Sequence, residues 1–213
     1  MKAILLGSIG VITETSELQR QSYNEAFTHH GLDWYWSIAN YCELLKKPGG
    51  LKRLATFGGI SVDMNIIKKI HETRQSIFNN KIAEGLRPRK GVVECINFCK
   101  QNNLKIGLVT TTTPQMLQAL SKSLEATIDF GSFDLITSKQ DATNEKPDSE
   151  IFTFALNRLN IEASQAIAVE DTEANQSAAM QAELLCYLFA GEYAATQYNI
   201  NAVNTVEHIS SVF

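Results

Sequence analysis

The sequence predicts an α/β protein with a parallel, Rossmann-like sheet, helices on both sheet faces and an inserted all-helical domain. Residues 2–6 and 105–109 form continuous apolar runs, and continuous rather than alternating runs indicate strands that are buried on both faces. Helical patterns alternate with these runs, which is typical of parallel strands joined by right-handed crossovers. Residues 15–86 interrupt this order, because they contain helical patterns without a convincing strand.

The individual elements follow from the same periodicities. Further strands are predicted at residues 135–136, 166–169 and 186–189. Helices are predicted at residues 17–30, 37–45, 50–57, 63–83, 91–102, 114–124, 149–159 and 172–182. In the fifth of these helices, Val92, Cys95, Ile96 and Cys99 share one face, which predicts that the two thiols are buried. Pro114 suits the first turn of the helix that it begins.

The domain boundaries are predicted from the points where the alternation of strands and helices stops and resumes. Glycine pairs at 49–50 and 58–59 separate the helices of the insert. The segment 86–88, Leu-Arg-Pro, returns the chain to the sheet. We therefore assign residues 1–14 and 87–213 to the α/β core, and residues 15–86 to the helical insert.

Composition limits the classes of partner. The chain has 213 residues, a formal net charge of −4 and a pI of about 5.6, which argues against nucleic acid or an anionic membrane as the main partner. No segment resembles a signal peptide or a membrane span. The four cysteines match neither a zinc pattern nor a disulfide framework, which favours a reducing, cytoplasmic location.

Four motifs follow one another along the chain. They read Leu-Leu-Gly-Ser-Ile-Gly-Val-Ile at 5–12, Val-Thr-Thr-Thr-Thr-Pro at 109–114, Glu-Lys-Pro-Asp-Ser-Glu-Ile-Phe at 145–152, and Ala-Val-Glu-Asp-Thr-Glu at 168–173. The insert adds Gly-Leu-Asp-Trp-Tyr-Trp at 31–36 and Leu-Leu-Lys-Lys-Pro-Gly-Gly at 44–50. This order, which covers nearly the whole chain, resembles the haloacid dehalogenase superfamily, capped subfamily I. More narrowly, it is similar to the CbbY-type sugar-bisphosphate phosphatases and their β-phosphoglucomutase relatives.

The resemblance implies a phosphatase site at the carboxyl ends of the strands. In that family a first-motif aspartate attacks the phosphoryl group and a second aspartate serves as general acid and base. Thr110, with Thr111 beside it, matches the phosphate-binding second motif, and Lys146 matches the charge-neutralising third motif. Glu170 and Asp171 match the acidic fourth motif that helps to hold magnesium.

The resemblance also assigns residues of the insert, which would be the family's helical cap. Gly49, Gly50 and Arg53 match the substrate-specificity loop, where the basic side chain is expected to meet a distal phosphate. The implied ligand is therefore a sugar phosphate or another phosphorylated small molecule. The sequence leaves any protein partner open.

The first motif departs from the family pattern. Where the family has Asp-x-Asp-Gly, this chain has Gly-Ser-Ile-Gly, so Gly7 and Ile9 replace the nucleophile and the acid/base aspartate. The remaining magnesium ligands would be Glu170, Asp171 and the backbone carbonyl of Ile9, from which we expect weak metal binding. Because side chains alternate along an extended strand, Ser8 is expected to point away from the site.

Three hypotheses remain open at this point. The first is a protein that has lost its activity but keeps a phosphate-ester pocket, and the second is a magnesium-dependent phosphatase with a non-standard nucleophile. The third is a non-catalytic interaction module with a collapsed pocket, which the apolar Ile9 favours. Each motif also has a simpler interpretation, since Thr110 and Thr111 could be a β-branched strand end, and Glu170 with Asp171 could cap a helix.

Overall fold

The computed structural model describes residues 1–45, 49–59, 63–193 and 204–213. Its strands are β1 (Ala3–Leu6), β2 (Lys105–Leu108), β3 (Leu135–Ile136), β4 (Ala166–Glu170) and β5 (Leu185–Leu188). Its helices are α1 (Ser16–His29), α2 (Ile38–Leu45), α3 (Gly50–Gly58), α4 (Met64–Ala83), α5 (Val92–Gln101), α6 (Pro114–Leu124), α7 (Glu150–Leu159) and α8 (Glu173–Gln181). None of the described helices combines the length and the apolar character needed to span a bilayer. Lys46, Lys47 and Pro48 of the predicted insert motif lie outside the described residues.

The five strands form one parallel sheet in the order β3-β2-β1-β4-β5, which confirms the predicted fold class. Strand β1 lies at the centre, with Leu5 opposite Gly107 on one side and Ala168 on the other. All four β1 side chains are buried, as the continuous apolar run predicts. The first, second and fourth motifs lie at the carboxyl ends of β1, β2 and β4 and therefore meet at the same edge of the sheet.

The sheet is covered on both faces. Successive residues of a strand point to opposite faces, so β1 contributes Ile4 and Leu6 to one hydrophobic cluster, and Ala3 and Leu5 to the other. The first cluster also contains both predicted thiols of α5, which are buried. The second cluster contains the apolar sides of α7 and α8. This double coverage holds the strand ends in fixed positions, which a site built from short loops requires.

The chain divides into two compact units, Met1–Glu14 with Gly85–Phe213, and Thr15–Glu84. In residues 15–45, 49–59 and 63–84, which are the described part of the second unit, the regular elements are helices, with α1 packed against α4 and α4 against α3. Its core is aromatic: Trp36 is fully buried and lies 4.4 Å from Tyr23 and 5.1 Å from Phe27 between ring centroids. The backbone oxygen of Trp36 accepts hydrogen bonds from Arg20 at 2.7 Å and from Asn24 at 3.0 Å. The tryptophan thus has a packing role in this unit.

The turn after α8 uses an unfavourable residue. Glu183 adopts a left-handed backbone with φ +62°, and the next amide, of Leu184, bonds back to Ala179 at 3.1 Å. A side chain in this conformation costs about 1–2 kcal/mol, and glycine avoids most of that cost. We expect Glu183→Gly to raise the free energy of unfolding by about 1 kcal/mol in urea titrations. Glu183→Ala, which keeps Cβ, is the matched control and should not stabilise; equal gains from both would locate the effect in the charge instead.

Candidate functional site

A pocket of about 270 Å³ opens at the carboxyl ends of β1, β2 and β4. It is lined by Ser8, Ile9, Thr110, Thr111, Thr112, Lys146, Glu170 and Asn175. The α/β core therefore brings residues from all four motifs to one place. Ser8 and Asn175 were not among the expected lining residues.

The prediction that Ser8 points away from the site is wrong. Its side chain is buried and its hydroxyl lies 2.8 Å from the hydroxyl of Thr110, in the pocket wall. The alternation rule fails here because β1 ends at Leu6, and the residues that follow form tight turns in which Val11 and Ile12 donate to the Ser8 carbonyl. Ser8 therefore adds a hydroxyl to the second-motif threonines.

Thr110 is held on several sides. Its hydroxyl accepts a hydrogen bond from the Thr112 amide at 3.1 Å, in addition to the contact with Ser8. Its amide donates to the hydroxyl of Thr137 at 2.8 Å, and that hydroxyl donates to the Thr110 carbonyl at 2.8 Å. Thr137 is fully buried after β3, and no sequence signal identified it. Thr113 instead caps α6 by accepting from the Met116 amide at 3.3 Å.

Lys146 is buried between two acceptors. Its ammonium donates to the Val109 carbonyl at 2.9 Å and forms a short ion pair with Glu170 Oε1. The ammonium also lies 4.8 Å from the centre of the Phe152 ring. The side chains of Lys146 and Glu170 are only 7% and 1% exposed, so water screens this pair little.

The space beside Gly7 contains the Glu170 carboxylate. A Cβ atom at position 7 would lie 2.5 Å from Glu170 Oε2 and 2.9 Å from Val11 Cγ2. Both distances are shorter than van der Waals contact. Glu170 can adopt its present position, with Lys146 as its partner, because position 7 has no side chain.

Asp171 is packed against Gly10. Gly10 has φ +87°, and any Cβ there would collide with the Asp171 carboxylate, so a glycine at this position has a steric reason. Asp171 Oδ1 accepts from Asn175 Nδ2 at 2.9 Å. The N-cap of α8 is Thr172, which accepts from the Asn175 amide, so the acidic pair does not serve as the helix cap.

Burial dominates the electrostatics of the acidic pair. It raises the pKa of Glu170, although the charge of Lys146 and its hydrogen bond oppose this. Burial and the neighbouring Glu170 charge raise the pKa of Asp171 to about 7. With two adjacent carboxylates and one ammonium, the Asp171 carboxylate is therefore partly protonated near neutral pH.

Arg89 joins the loops on either side of the site. Its guanidinium donates to the carbonyls of Gly10, Phe189 at 2.9 Å and Ala190 at 2.8 Å, and lies 3.4 Å above the Phe189 ring. These contacts link the turn after β1 to the segment after β5. Sequence reasoning missed Arg89, because a single arginine after a proline has no distinctive spacing.

The insert residues Gly49, Gly50 and Arg53 belong to the other compact unit. Gly49 precedes α3 with φ +97°, and Gly50 is its first residue, so close to the Tyr23 hydroxyl that a Cβ would lie 2.6 Å from it. Arg53 is in the first turn of the same helix. His71 lies beside them, and burial together with the charges of Arg74 and Arg53 lowers its pKa. The beginning of α3 is therefore a cation-rich part of the helical unit.

Comparison with known proteins identifies the family to which this chain belongs. The sequence pattern of the family described as haloacid dehalogenase-like hydrolase matches residues 10–188. The chain belongs to the haloacid dehalogenase-like hydrolases. The matched region begins at Gly10, after the two replaced positions of the first motif.

Several relatives narrow the similarity within that family. Protein CbbY of Rhodobacter capsulatus is 32% identical over 200 residues, which cover 91% of this chain and 87% of the relative. A crystal structure of CbbY from Rhodobacter sphaeroides with xylulose-(1,5)bisphosphate has a TM-score of 0.82 at 30% identity, and the match covers 98% of this chain and 94% of that one. A phosphorylated carbohydrates phosphatase of Thermotoga maritima is 27% identical over 85% of this chain and 82% of its own length. The chain is thus similar to sugar-phosphate phosphatases of the CbbY type.

The residues present fit a resident magnesium ion poorly. Mg²⁺ prefers an octahedron of hard oxygen ligands. Here position 7 offers none, and Glu170 is engaged with Lys146. Among the residues that the structure describes, no group of three or more His, Cys, Asp or Glu side chains is arranged to hold a metal. Asp171 and the Ile9 carbonyl are too few donors for a tightly held ion.

Proposed function

We propose that this chain binds a phosphorylated small molecule in the core pocket and does not hydrolyse it. The observation that supports this most directly is at position 7. The family's nucleophile is replaced by glycine, and the vacated space contains a carboxylate that is paired with Lys146. Glu170 is the last residue of β4, so its carboxylate does not start from the β1 backbone position from which the family's nucleophile attacks.

Ser8 is the other candidate nucleophile, since its hydroxyl lies in the pocket wall. A serine needs an adjacent base to become reactive. Its side-chain partner in the described structure is the Thr110 hydroxyl, which has no basicity to offer. We therefore assign Ser8 a binding role, against the hypothesis of a phosphatase with a non-standard nucleophile.

The hydrogen-bond donors of the pocket support retained binding. The hydroxyls of Ser8 and Thr110 share one bond, so whichever of them donates it, one hydroxyl proton is left for a ligand. The Lys146 ammonium has three N–H groups, of which Val109 and Glu170 take two. Thr111 and Thr112 add two more hydroxyls to the lining. Hydrogen-bond donors that converge on one open space can bind phosphate oxygens. They favour a ligand-binding pocket over the collapsed pocket of an interaction module.

The relatives suggest the class of ligand. CbbY was crystallised with a sugar bisphosphate, and the Thermotoga maritima relative is called a phosphatase of phosphorylated carbohydrates. We propose that this chain binds a sugar phosphate and that the helical unit is the cap of the protein. Gly49, Gly50 and Arg53 would bind a distal phosphate of the ligand. A cytoplasmic location would give access to such metabolites. Magnesium, if it binds through Glu170, Asp171 and the Ile9 carbonyl, is expected to bind weakly.

The test is a calorimetric titration of the native chain with inorganic phosphate, a hexose monophosphate and a pentose bisphosphate. We expect saturable binding of at least one ester, and a loss of affinity of about 30-fold or more in Lys146→Met, which removes a charge-assisted donor. Lys139→Met, which removes an exposed lysine, is the matched control and should leave the affinity unchanged. Absence of binding to all three ligands would favour the interaction module, and phosphate release that requires Lys146 would favour an active enzyme.

A further inference from the structure

The acidic part of the pocket differs from a metal site in its charge as well as in its geometry. The ionisable groups here are one ammonium, Lys146, and two carboxylates, Glu170 and Asp171. Aspartates at positions 7 and 9 would add two negative charges. Their loss changes the formal charge of the site by the same amount as binding one Mg²⁺ ion would. The metal-free site of this chain therefore has the same formal charge as a site with both first-motif aspartates and a bound Mg²⁺ ion.

The geometry shows how the remaining charges are distributed. Glu170 turns one carboxylate oxygen to Lys146, and the other lies in the space beside Gly7. The carboxylate thus takes the place of the missing side chain as the partner of the ammonium. Lys146 is held at the pocket by the carbonyl of Val109, the residue after β2, and by Glu170 of β4, so its position does not depend on the first motif.

From these contacts we propose that the pocket is a metal-independent anion site. Gly7, Glu170 and Lys146 together replace the first-motif carboxylate and the divalent cation. The anion is bound by the third N–H of Lys146 and by the hydroxyls of Ser8, Thr110, Thr111 and Thr112. The ligand class is a phosphate monoester, and this inference rests on the proposed binding function. Glu170 is a positioning residue here, since it acts on the ligand through Lys146.

The alternative arrangement is one in which Glu170 leaves Lys146 and joins Asp171 around a cation. That rearrangement would break a buried ion pair and would leave the ammonium without a counter-charge. It would also gain only two carboxylates, whereas magnesium sites of this type take further oxygens from the first motif or the substrate. The contacts of Glu170 therefore favour the metal-free form.

The experiment is a titration of the full-length native chain with inorganic phosphate and with a hexose monophosphate, in EDTA and again in millimolar magnesium. We expect the two dissociation constants for each ligand to agree within about 2-fold. Binding that appears only with magnesium would overturn the metal-independent site while leaving the proposed ligand-binding function intact. No binding under either condition would refute the metal-independent site, and absence of pentose bisphosphate binding as well would refute the proposed function.

Two variants test the role of Glu170 separately. Glu170→Gln removes a negative charge next to Lys146 and keeps the size of the side chain, so phosphate affinity in EDTA should increase about 10-fold. Glu173→Gln, an exposed residue of α8, is the matched control for net charge and should have no effect. If Glu170→Gln weakens binding in EDTA, or if it abolishes a magnesium requirement, the assignment is wrong. Circular dichroism of each variant identifies any that has failed to fold.

Discussion

Restoring aspartate at positions 7 and 9 together should give the chain a magnesium-dependent phosphatase activity at least about 100-fold above that of the native protein. Loss of a nucleophile removes about a million-fold of rate in well-studied hydrolases, so partial recovery is a modest requirement. The reason for expecting recovery is that Ser8, Thr110 and Lys146 already line the pocket. Phosphate release from a panel of sugar phosphates measures the result.

The extent to which phosphatase activity is recovered depends on the position of the Glu170 carboxylate. An aspartate at position 7 would place its Cβ 2.5 Å from Glu170 Oε2, so the glutamate must rotate away from Lys146 before the new side chain fits. The obstacle is the end of a flexible side chain, which can move, although it is buried and ion-paired. Adding Glu170→Asp shortens that side chain by one methylene. We expect the triple variant to be at least as active as the double variant.

The control for this experiment is Gly7→Asn with Ile9→Asp. It reproduces the size of the restored side chain at position 7 and lacks a nucleophilic carboxylate, so it should remain inactive. Activity of the native chain that requires Lys146 would contradict the proposed loss of catalysis. Inactivity of both the double and the triple variant, with folding intact, would indicate that the pocket does not retain a productive geometry.

The fold was predictable because its signals are local. Pro114 begins α6 as predicted, and the ends of the other elements differ from the predictions by at most one residue, which is within the usual uncertainty of helix and strand ends. The burial of Cys95 and Cys99 followed from their spacing on α5. Apolar runs and helical periodicities are properties of adjacent residues, so the sequence contains them directly.

The site was predictable only in part, because its decisive contacts join residues that are far apart in the chain. Ser8 was misassigned because the strand ends two residues before it. The pairing of Lys146 with Glu170 depends on the empty space at Gly7, and no single motif contains that relation. Arg89 and Thr137 hold the loops through bonds to backbone oxygens and an amide, which leave no pattern in the sequence.

The buried pair also predicts a large effect on stability. Lys146→Met should lower the free energy of unfolding at pH 8 by about 3–5 kcal/mol, because it leaves the Glu170 carboxylate buried without its counter-charge. Lys139→Met is the matched control, since Lys139 pairs with Glu145 at the surface, where both side chains are more than half exposed. That substitution should cost less than about 1 kcal/mol. Urea denaturation at fixed pH measures both.

The pH dependence identifies Glu170 as the cause. Burial already raises the pKa of Glu170 in the native chain, and removing Lys146 takes away the charge that opposes the rise. The folded Lys146→Met protein then holds a proton that the unfolded chain releases at lower pH. Its stability relative to the native chain should therefore fall as the pH rises above the unfolded pKa of glutamate, and recover as the pH is lowered to about 5.

A double variant separates the lost ion pair from lost packing. In Lys146→Met with Glu170→Gln the buried charge is absent, so most of the destabilisation should disappear and the remainder should not vary with pH through Glu170. Asp171, whose pKa is raised to about 7, titrates in every variant, and its pKa depends on the charges of Glu170 and Lys146. The series is therefore repeated with Asp171→Asn in every protein, including the reference, which removes that titration. If the double variant is as unstable as Lys146→Met, the lysine stabilises the fold through its contacts with Val109 and Phe152. In that case, balancing the charge of Glu170 would not be the reason why the fold needs Lys146.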